Sequence, residues 1–408
     1  MRRRDILKSV SIAGLGTALA GCVSSFSGEG GGSDPVTIGV LGPKTGPLSK
    51  LWGFYESNIK LAIDQINNDG NLVHDGDGID IGGSNRKVKF VAYDTESKPN
   101  VGASAAERAI DQDDVSIVLG AMSSTTTLAI MDVLDRKQVP GITSVSVNQK
   151  ITGSEGNKWM FRNKDTDTMR AKWISKAIAD EIGYSNVAMI GPNNDFGIGR
   201  MDAFAKSLGE NGVNTLTKQS FNPEQQSFLS ELEKIKAKDP DALYMVLNDP
   251  THGEQMIPQA RQVGFEGLIG TGPLGTPDMP EKVGDGLDGT YIEITFPNEA
   301  KSGPDHVSRW ADNLDSFTNG EIPPNYIGAP TFDAVNAIVD SYVRAGEDAP
   351  EPVYKAMTNS EVKGVYPYPN FTLKFNENNQ AEVVSGLGQW QKKNGEWSLE
   401  VMTGPFAQ

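Results

Sequence analysis

A hydroxyl-rich turn between a strand and a helix is the stretch whose side chains point most clearly to chemistry. The largely apolar run over 115–119 predicts a strand buried on both faces. Gly120 ends this run, and Ser123, Ser124 and Thr125 follow before apolar residues return at helical spacing. The first turn of a helix has unpaired backbone N–H groups and the positive end of the helix dipole, so with added hydroxyls it can bind a carboxylate. The alternative is that these residues only cap the helix.

The charge balance restricts the class of partner. The chain has 37 basic and 53 acidic residues, for a formal net charge of -16. Nucleic-acid phosphates require a basic protein face, so we predict no nucleic-acid partner. The negative charge favours solubility and is compatible with a high-salt habitat.

The cysteine and histidine content argues against metal and thiol chemistry. Cys22 is the single cysteine, which excludes a disulfide or a cysteine zinc site within the folded body. The three histidines are far apart and show no zinc-enzyme spacing, and the body lacks a Gly-x-Ser-x-Gly motif, a Walker loop and a dinucleotide fingerprint. We therefore predict no enzyme, no cofactor and no metal. The sequence leaves open an acid pair such as Asp94 with Asp249, as in a secreted hydrolase.

The N-terminal segment has the features of an export signal. Arg3 and Arg4 resemble a twin-arginine signal, and the apolar run after them is too short for a stable membrane span. The run ends in Leu-Ala-Gly-Cys, which resembles a lipoprotein processing site. We predict that residues 1–22 are a lipoprotein signal and that processing frees Cys22 for lipid attachment. Residues 23–34 would then be a flexible tether. The folded body would then lie outside the cell, anchored to the membrane.

Strands and helices alternate through most of the chain, in two series of similar length. This alternation predicts an α/β fold with two lobes, each a parallel sheet with helices on both faces. Ligands of such sheets bind beyond the carboxyl ends of the strands, so two facing lobes form a cleft. Alternating residues over 371–375, 380–384, 388–391 and 397–401 predict the strands of an added C-terminal β-meander. The predicted order is strand 36–41, helix 50–68, strand 87–93, helix 100–110, strand 115–119, a helix from the hydroxyl-rich turn, strand 139–143, helix 168–182, strand 186–191, helix 197–211, strand 215–221, helix 223–237, strand 242–247 and helix 253–263.

With these elements in place, several short motifs give the chain a family resemblance. In this order and spacing, it resembles the extracytoplasmic solute-binding proteins of ABC importers, of the leucine/isoleucine/valine-binding type. The motifs are IGVLGPKTGP at 38–47, AIDQIN at 62–67, YDTES at 93–97, GAMSSTTT at 120–127, NDFG at 194–197, QARQVG at 259–264 and FDAV at 332–335.

The resemblance implies a type I periplasmic-binding fold with three crossovers between its lobes. Lobe 1 would comprise 35–162 and 297–364, and lobe 2 would comprise 163–296 and 365–408. The lobes would close on the ligand as rigid bodies about these crossovers.

The resemblance also implies one end of the ligand site. Met122, Ser123 and Ser124 match the turn that receives the ligand carboxylate, with Ser124 as hydroxyl donor. Trp52 and Phe196 match aromatic walls of the first and second lobes. Ordinary packing is the alternative for both aromatic residues.

The other end of the site departs from the family pattern. Val145 and Ser146 match a second ligand-binding turn, but Val147 stands where a threonine is usual. The family's ammonium acceptor maps near Gly272, which has no side chain. Asp249 is the nearest acid at a strand end, so it is either a substitute ammonium partner or a helix N-cap.

These features predict a binding protein that passes its ligand to an ABC permease and ATPase. A sensor that signals to a membrane receptor has the same sequence features. The ligand remains open among branched-chain or aromatic amino acids, short amides, urea and small carboxylates.

Overall fold

The computed structural model describes residues 34–152, 158–296 and 303–403. Cys22, the predicted signal and nearly all of the predicted tether lie outside these residues and remain predictions. Within the described ranges, no helix combines the length and apolar character that crossing a bilayer requires.

Most strands overlap the predicted ranges. The strands are β1 (Val36–Gly42), β2 (Ile79–Ile81), β3 (Ser84–Arg86), β4 (Val88–Asp94), β5 (Val118–Gly120), β6 (Gly141–Thr143), β7 (Met160–Arg162), β8 (Asn186–Pro192), β9 (Asn214–Phe221), β10 (Ala242–Met245), β11 (Gly267–Gly270), β12 (Tyr291–Ile294), β13 (Glu361–Lys363), β14 (Thr372–Lys374), β15 (Gly386–Lys393) and β16 (Glu396–Thr403).

The helices connect these strands and cover both faces of the sheets. They are α1 (Trp52–Asn67), α2 (Pro99–Asp113), α3 (Ser124–Lys137), α4 (Asp167–Ala177), α5 (Asp195–Glu210), α6 (Leu229–Lys236), α7 (Pro250–Gln262), α8 (Met279–Val283), α9 (Asp305–Thr318), α10 (Gly328–Ala345) and α11 (Pro350–Met357).

The two principal sheets repeat one strand order. The first is parallel with order β4-β1-β5-β6-β7, and the second contains the parallel order β9-β8-β10-β11-β12. In both, the second strand of the series lies outside the first, so the order reverses between the first and third strands. This reversal point is where open α/β sheets bind ligands. The fold is the type I periplasmic-binding fold predicted above.

The last two strands of the predicted C-terminal meander extend the second sheet. β15 pairs antiparallel with β12, and β16 pairs with β15 through a turn at Asn394 and Gly395. The predicted strand over 380–384 forms only isolated bridges, from Gln380 to Arg162 and from Ala381 to Phe375.

One predicted helix is shorter than expected. A helix was predicted over 223–237, but α6 comprises only Leu229–Lys236, because the segment before it forms a turn that packs inward. Phe228, directly before α6, is buried and packs edge-on against Phe221 and His252. A helix starting at Pro223 would remove these contacts.

Apolar clusters cover both faces of each principal sheet. Leu373, Phe375, Ala381 and Val383 belong to the cluster beneath the first sheet, whereas Leu387 packs on the second sheet. The chain therefore passes between the sheets for the third time after residue 383, later than the predicted boundary at 365.

Buried ion pairs join the first crossover to the second sheet. Arg200 on α5 donates to Glu293 on β12, and its Nη1 lies 2.9 Å from Asp167 Oδ1. The three side chains are fully buried. Burial raises the pKa of Asp167 to about 6, against the lowering effect of Arg200. A buried charge without its partner is costly, so this network depends on every member being present.

We predict that Arg200→Met lowers the free energy of unfolding by about 3–5 kcal/mol, because it leaves the buried carboxylate of Asp167 without its ion-pair partner and removes one of the two cations that contact Glu293. Arg136→Met is the matched control, since Arg136 pairs with Glu107 on the surface with 56% and 47% of the two side chains exposed. The control should cost at most about 1 kcal/mol. Urea unfolding of the three proteins measures the difference, and equal losses would contradict the assigned role.

Candidate functional site

A cavity of about 250 Å³ lies where strands of both sheets end. Its walls come from segments after β1, β4, β5, β6 and β7 of the first sheet and after β8, β9, β10 and β11 of the second. The lining residues are Pro47, Leu48, Leu51, Ser97, Met122, Ser123, Ser124, Thr125, Val145, Ser146, Val147, Lys164, Arg170, Asn194, Phe196, Pro223, Leu247, Asn248, Asp249, His252, Thr271, Gly272, Pro273, Tyr326 and Ile327.

The turn after β5 requires the glycine that ends this strand. Gly120 has φ +144°, and a Cβ atom there would lie 2.3 Å from the carbonyl oxygen of Leu41 on β1. The chain can then turn directly into α3, whose N-cap is Ser123. Ser123 Oγ accepts the N–H of Thr126 at 3.2 Å and donates to Thr126 Oγ1 at 2.8 Å. The capping interpretation therefore describes the Ser123 side chain.

The same turn leaves hydrogen-bond donors at the cavity. Ser124 is buried, and its Oγ accepts the N–H of Asn148 at 3.2 Å, so its own O–H remains a donor. The backbone N–H groups of Ser124 and Thr125 meet no acceptor within the part of the chain that the structure describes. A hydroxyl and two N–H groups at a helix N-terminus form a suitable cradle for a carboxylate.

The turn after β6 is held by hydroxyls that face inward. Ser146 Oγ lies 2.7 Å from Thr127 Oγ1 and donates to the carbonyl of Ala121 at 3.2 Å. The N–H of Ser146 donates to Thr143 Oγ1 at 3.2 Å. Ser146 therefore positions this turn with both its hydroxyl and its N–H, and the half-buried Val145 adds an apolar surface to the cavity.

The second sheet contributes Asp249 as the acid that lines the cavity. Its Oδ1 accepts the N–H of Thr251 at 2.9 Å, so it is the N-cap of α7. Capping is one of the two roles predicted for Asp249. The capping bond uses Oδ1, so Oδ2 does not take part in it. Asp94, suggested above as a catalytic partner, instead accepts from Thr45 and from the N–H of Glu96 and is not a lining residue.

Of the two aromatic residues predicted to form walls of the site, only one lines the cavity. Phe196 lines the cavity, at the start of α5. Trp52 does not, because its ring packs against Gly42, where a Cβ atom would lie 2.2 Å from it. Leu48 and Leu51 line the cavity in this region. Packing is thus the interpretation that describes Trp52.

The absence of a side chain at Gly272 leaves space beside an aromatic ring. A Cβ atom on Gly272 would have Tyr326 as its nearest neighbour, at 3.9 Å. Tyr326 is a lining residue that the sequence analysis did not identify, and the same is true of His252 and Lys164. The strand-end rule could have indicated Lys164, since it follows β7 by two residues.

Burial shifts the pKa of two basic side chains that line the cavity. It lowers the pKa of Lys164 to about 7, and it lowers the pKa of His252. Burial disfavours the charged form of a base, since the charge loses its water. A bound anion would reverse this effect.

We predict that Asp249→Ala lowers the free energy of unfolding by about 1 kcal/mol, through loss of the cap on α7. Asp249→Asn should remain within a few tenths of wild type, because asparagine caps a helix about as well as aspartate. Urea unfolding compares the two variants. An equal loss in both would show that the charge, rather than the cap, stabilises this turn.

Residues 35–396 match the periplasmic binding protein family. A leucine-, isoleucine-, valine-, threonine- and alanine-binding protein of Pseudomonas aeruginosa is 24% identical over 87% of this chain and 89% of its own length.

Solved structures share the fold at lower identity. A leucine binding protein from Thermotoga maritima superposes with a TM-score of 0.77 at 22% identity, covering 90% of this chain and 99% of its own. A solute binding protein of an ABC transporter from Rhodopseudomonas palustris, bound to 3,4-dihydroxybenzoic acid, has a TM-score of 0.75 at 16% identity, covering 91% and 97%. The strand order, the cavity at the strand ends and the match over 35–396 together show that this chain belongs to the periplasmic binding protein family.

Proposed function

We propose that this protein is the membrane-tethered solute-binding component of an ABC importer, which captures an amino acid or a similar small carboxylate-bearing solute between its two lobes. The observation that carries the proposal is the cavity itself, to which the strand ends of both sheets contribute. A pocket of this kind can surround a small ligand on all sides when the lobes close.

A carboxylate is the group that the first lobe suits best. The free N–H groups of Ser124 and Thr125 and the hydroxyl of Ser124 lie at the positive end of α3. Burying a carboxylate is favourable only when such donors replace its water. This supports the predicted role of Ser124 as hydroxyl donor.

The ligands named for two relatives both have a carboxylate, but they differ in the rest of the molecule. The Pseudomonas protein is described as binding amino acids, and the Rhodopseudomonas protein contains an aromatic acid without an amine. These compounds have the carboxylate in common. Whether the ligand also has an ammonium group depends on the far wall, where the free oxygen of Asp249 is one candidate partner.

Closure of the two lobes is part of the proposal. The chain passes between the sheets after β7, after β12 and after residue 383, and these segments would act as hinges. Closure would remove the ligand from water and present a changed surface to the permease. A permease and an ATPase are therefore the proposed protein partners, and their genes beside this one would favour transport over sensing.

A thermal-shift screen tests ligand binding, with amino acids, their deaminated acids, short amides and urea as probes. A true ligand at about one hundred times its dissociation constant should add roughly 2.7 kcal/mol to stability. Ser124→Ala should then weaken binding by about 1 kcal/mol or more, roughly fivefold, because it removes a hydrogen bond to a charged group. The control is Ser316→Ala, since Ser316 is exposed on α9.

If wild type, Ser124→Ala and Ser316→Ala bind the ligand with equal affinity, the proposed placement of the carboxylate at Ser124 is wrong. Failure of every probe to raise the melting temperature would contradict the proposed function.

Membrane tethering is tested separately through Cys22. Cys22→Ser should release the protein into the medium or leave it unprocessed, because the proposed lipid attaches to this sulfur. Fractionation of cells expressing each form measures this outcome. A variant that matures normally and remains with the membrane would disprove the anchor.

A further inference from the structure

We propose that Lys164 binds an anionic group of the ligand, and that the cavity therefore selects small organic anions without an ammonium group. This inference rests on the proposed function and specifies its ligand class. It comes from the environment of one buried cation at the cavity wall.

Lys164 is placed to contact a ligand. It lies two residues beyond β7, lines the cavity and is 2% exposed. Its Nζ donates to the carbonyl oxygen of Tyr326 at 2.7 Å and to the hydroxyl of Tyr366 at 2.5 Å. An ammonium has three donors, so these bonds leave one donor for a further acceptor.

The partners of Lys164 are neutral, unlike those of the other lining cation. Arg170 contacts two carboxylates: its Nη2 lies 2.7 Å from Asp165, and its Nη1 lies 3.2 Å from Glu293. Asp165 is the acid with the main electrostatic effect on Lys164, but it is bound through both oxygens to Arg170. No carboxylate of a described residue lies within 4.0 Å of Lys164 Nζ.

A buried ammonium without a counter-ion is unfavourable, and a ligand carboxylate would supply the missing charge. A zwitterion would bring the same carboxylate but would add a second ammonium to a small cavity that already holds Lys164. Like charges in such a cavity repel each other more strongly than in water, because the protein screens them less. The cavity therefore favours an acid over the corresponding amino acid.

Apolar side chains form much of the remaining wall, and they specify the body of the anion. Such a surface suits an aliphatic or aromatic carboxylic acid rather than a sugar acid, whose hydroxyls would need partners. These lining residues include Met122, Val145, Phe196, Leu247 and Tyr326.

Titration calorimetry on matched compounds tests the proposal. 4-Methylpentanoate, leucine and 4-methylpentanamide share a carbon skeleton, as do 3-phenylpropanoate, phenylalanine and 3-phenylpropanamide. In at least one series the acid should bind at least tenfold more tightly than the amino acid and the amide. Lys164→Met should abolish the preference of acid over amide, whereas Lys206→Met, at an exposed position on α5, should retain it.

The pH dependence gives a second measurement. Since burial lowers the pKa of Lys164 to about 7 and a bound carboxylate raises it again, the affinity for the acid should fall by up to tenfold for each pH unit above 7. Lys164→Met should lack this decline, which separates Lys164 from the other titratable groups nearby. The charged and titratable groups that face Lys164 are Asp165, Arg170, Arg200, Tyr326 and Tyr366.

The outcomes separate this inference from the proposed function. Tighter binding of leucine or phenylalanine than of its deaminated acid would overturn the inference and leave the binding function intact, with Asp249 as the ammonium partner. Binding by none of the compounds would contradict the proposed function itself. If Lys164→Met fails to fold, the matched compounds and the pH series on the wild-type protein still decide.

Discussion

The parallel arrangement of the strands is the constraint on which the site depends. In a parallel sheet all strands end at one edge, so the segments that follow them collect there. Each of the two principal sheets contains five parallel strands in the same order, and segments after nine of these ten strands line one cavity. Residues as distant in sequence as Leu48 and Tyr326 meet there because the chain passes three times between the sheets.

The cavity is built from polar groups that are largely satisfied within the protein. Ser123 caps α3, Ser146 positions the turn after β6, and Asp249 caps α7. Buried polar groups normally have such partners, so the exceptions indicate where a ligand contributes. Among the described residues that line this cavity, the exceptions include the N–H groups at the start of α3, the third donor of the Lys164 ammonium and Nδ1 of His252. The first two of these favour an anion.

Much of the fold follows from sequence periodicity, and the failures have physical causes. α10 was not predicted, although its polar residues Asp333, Asn336 and Asp340 recur at helical spacing. α9 likewise has buried residues at helical spacing, Val307, Trp310, Ala311 and Leu314, so the signal was available for both helices. The turn after β5 could be predicted as part of the site, because it follows the carboxyl end of a buried parallel strand. Sequence alone could not show that Trp52 packs behind Gly42 or that the partners of Lys164 are neutral, since both depend on tertiary contacts.

A crystal structure of the protein with the compound that most raises its melting temperature would show where the ligand binds and which groups hold it. We expect a small anion between the two sheets, with its carboxylate within hydrogen-bond distance of Ser124, of Lys164 or of both. We also expect that the sheets lie closer together than in crystals without ligand. A compound bound by one sheet only, or outside this cavity, would contradict this placement.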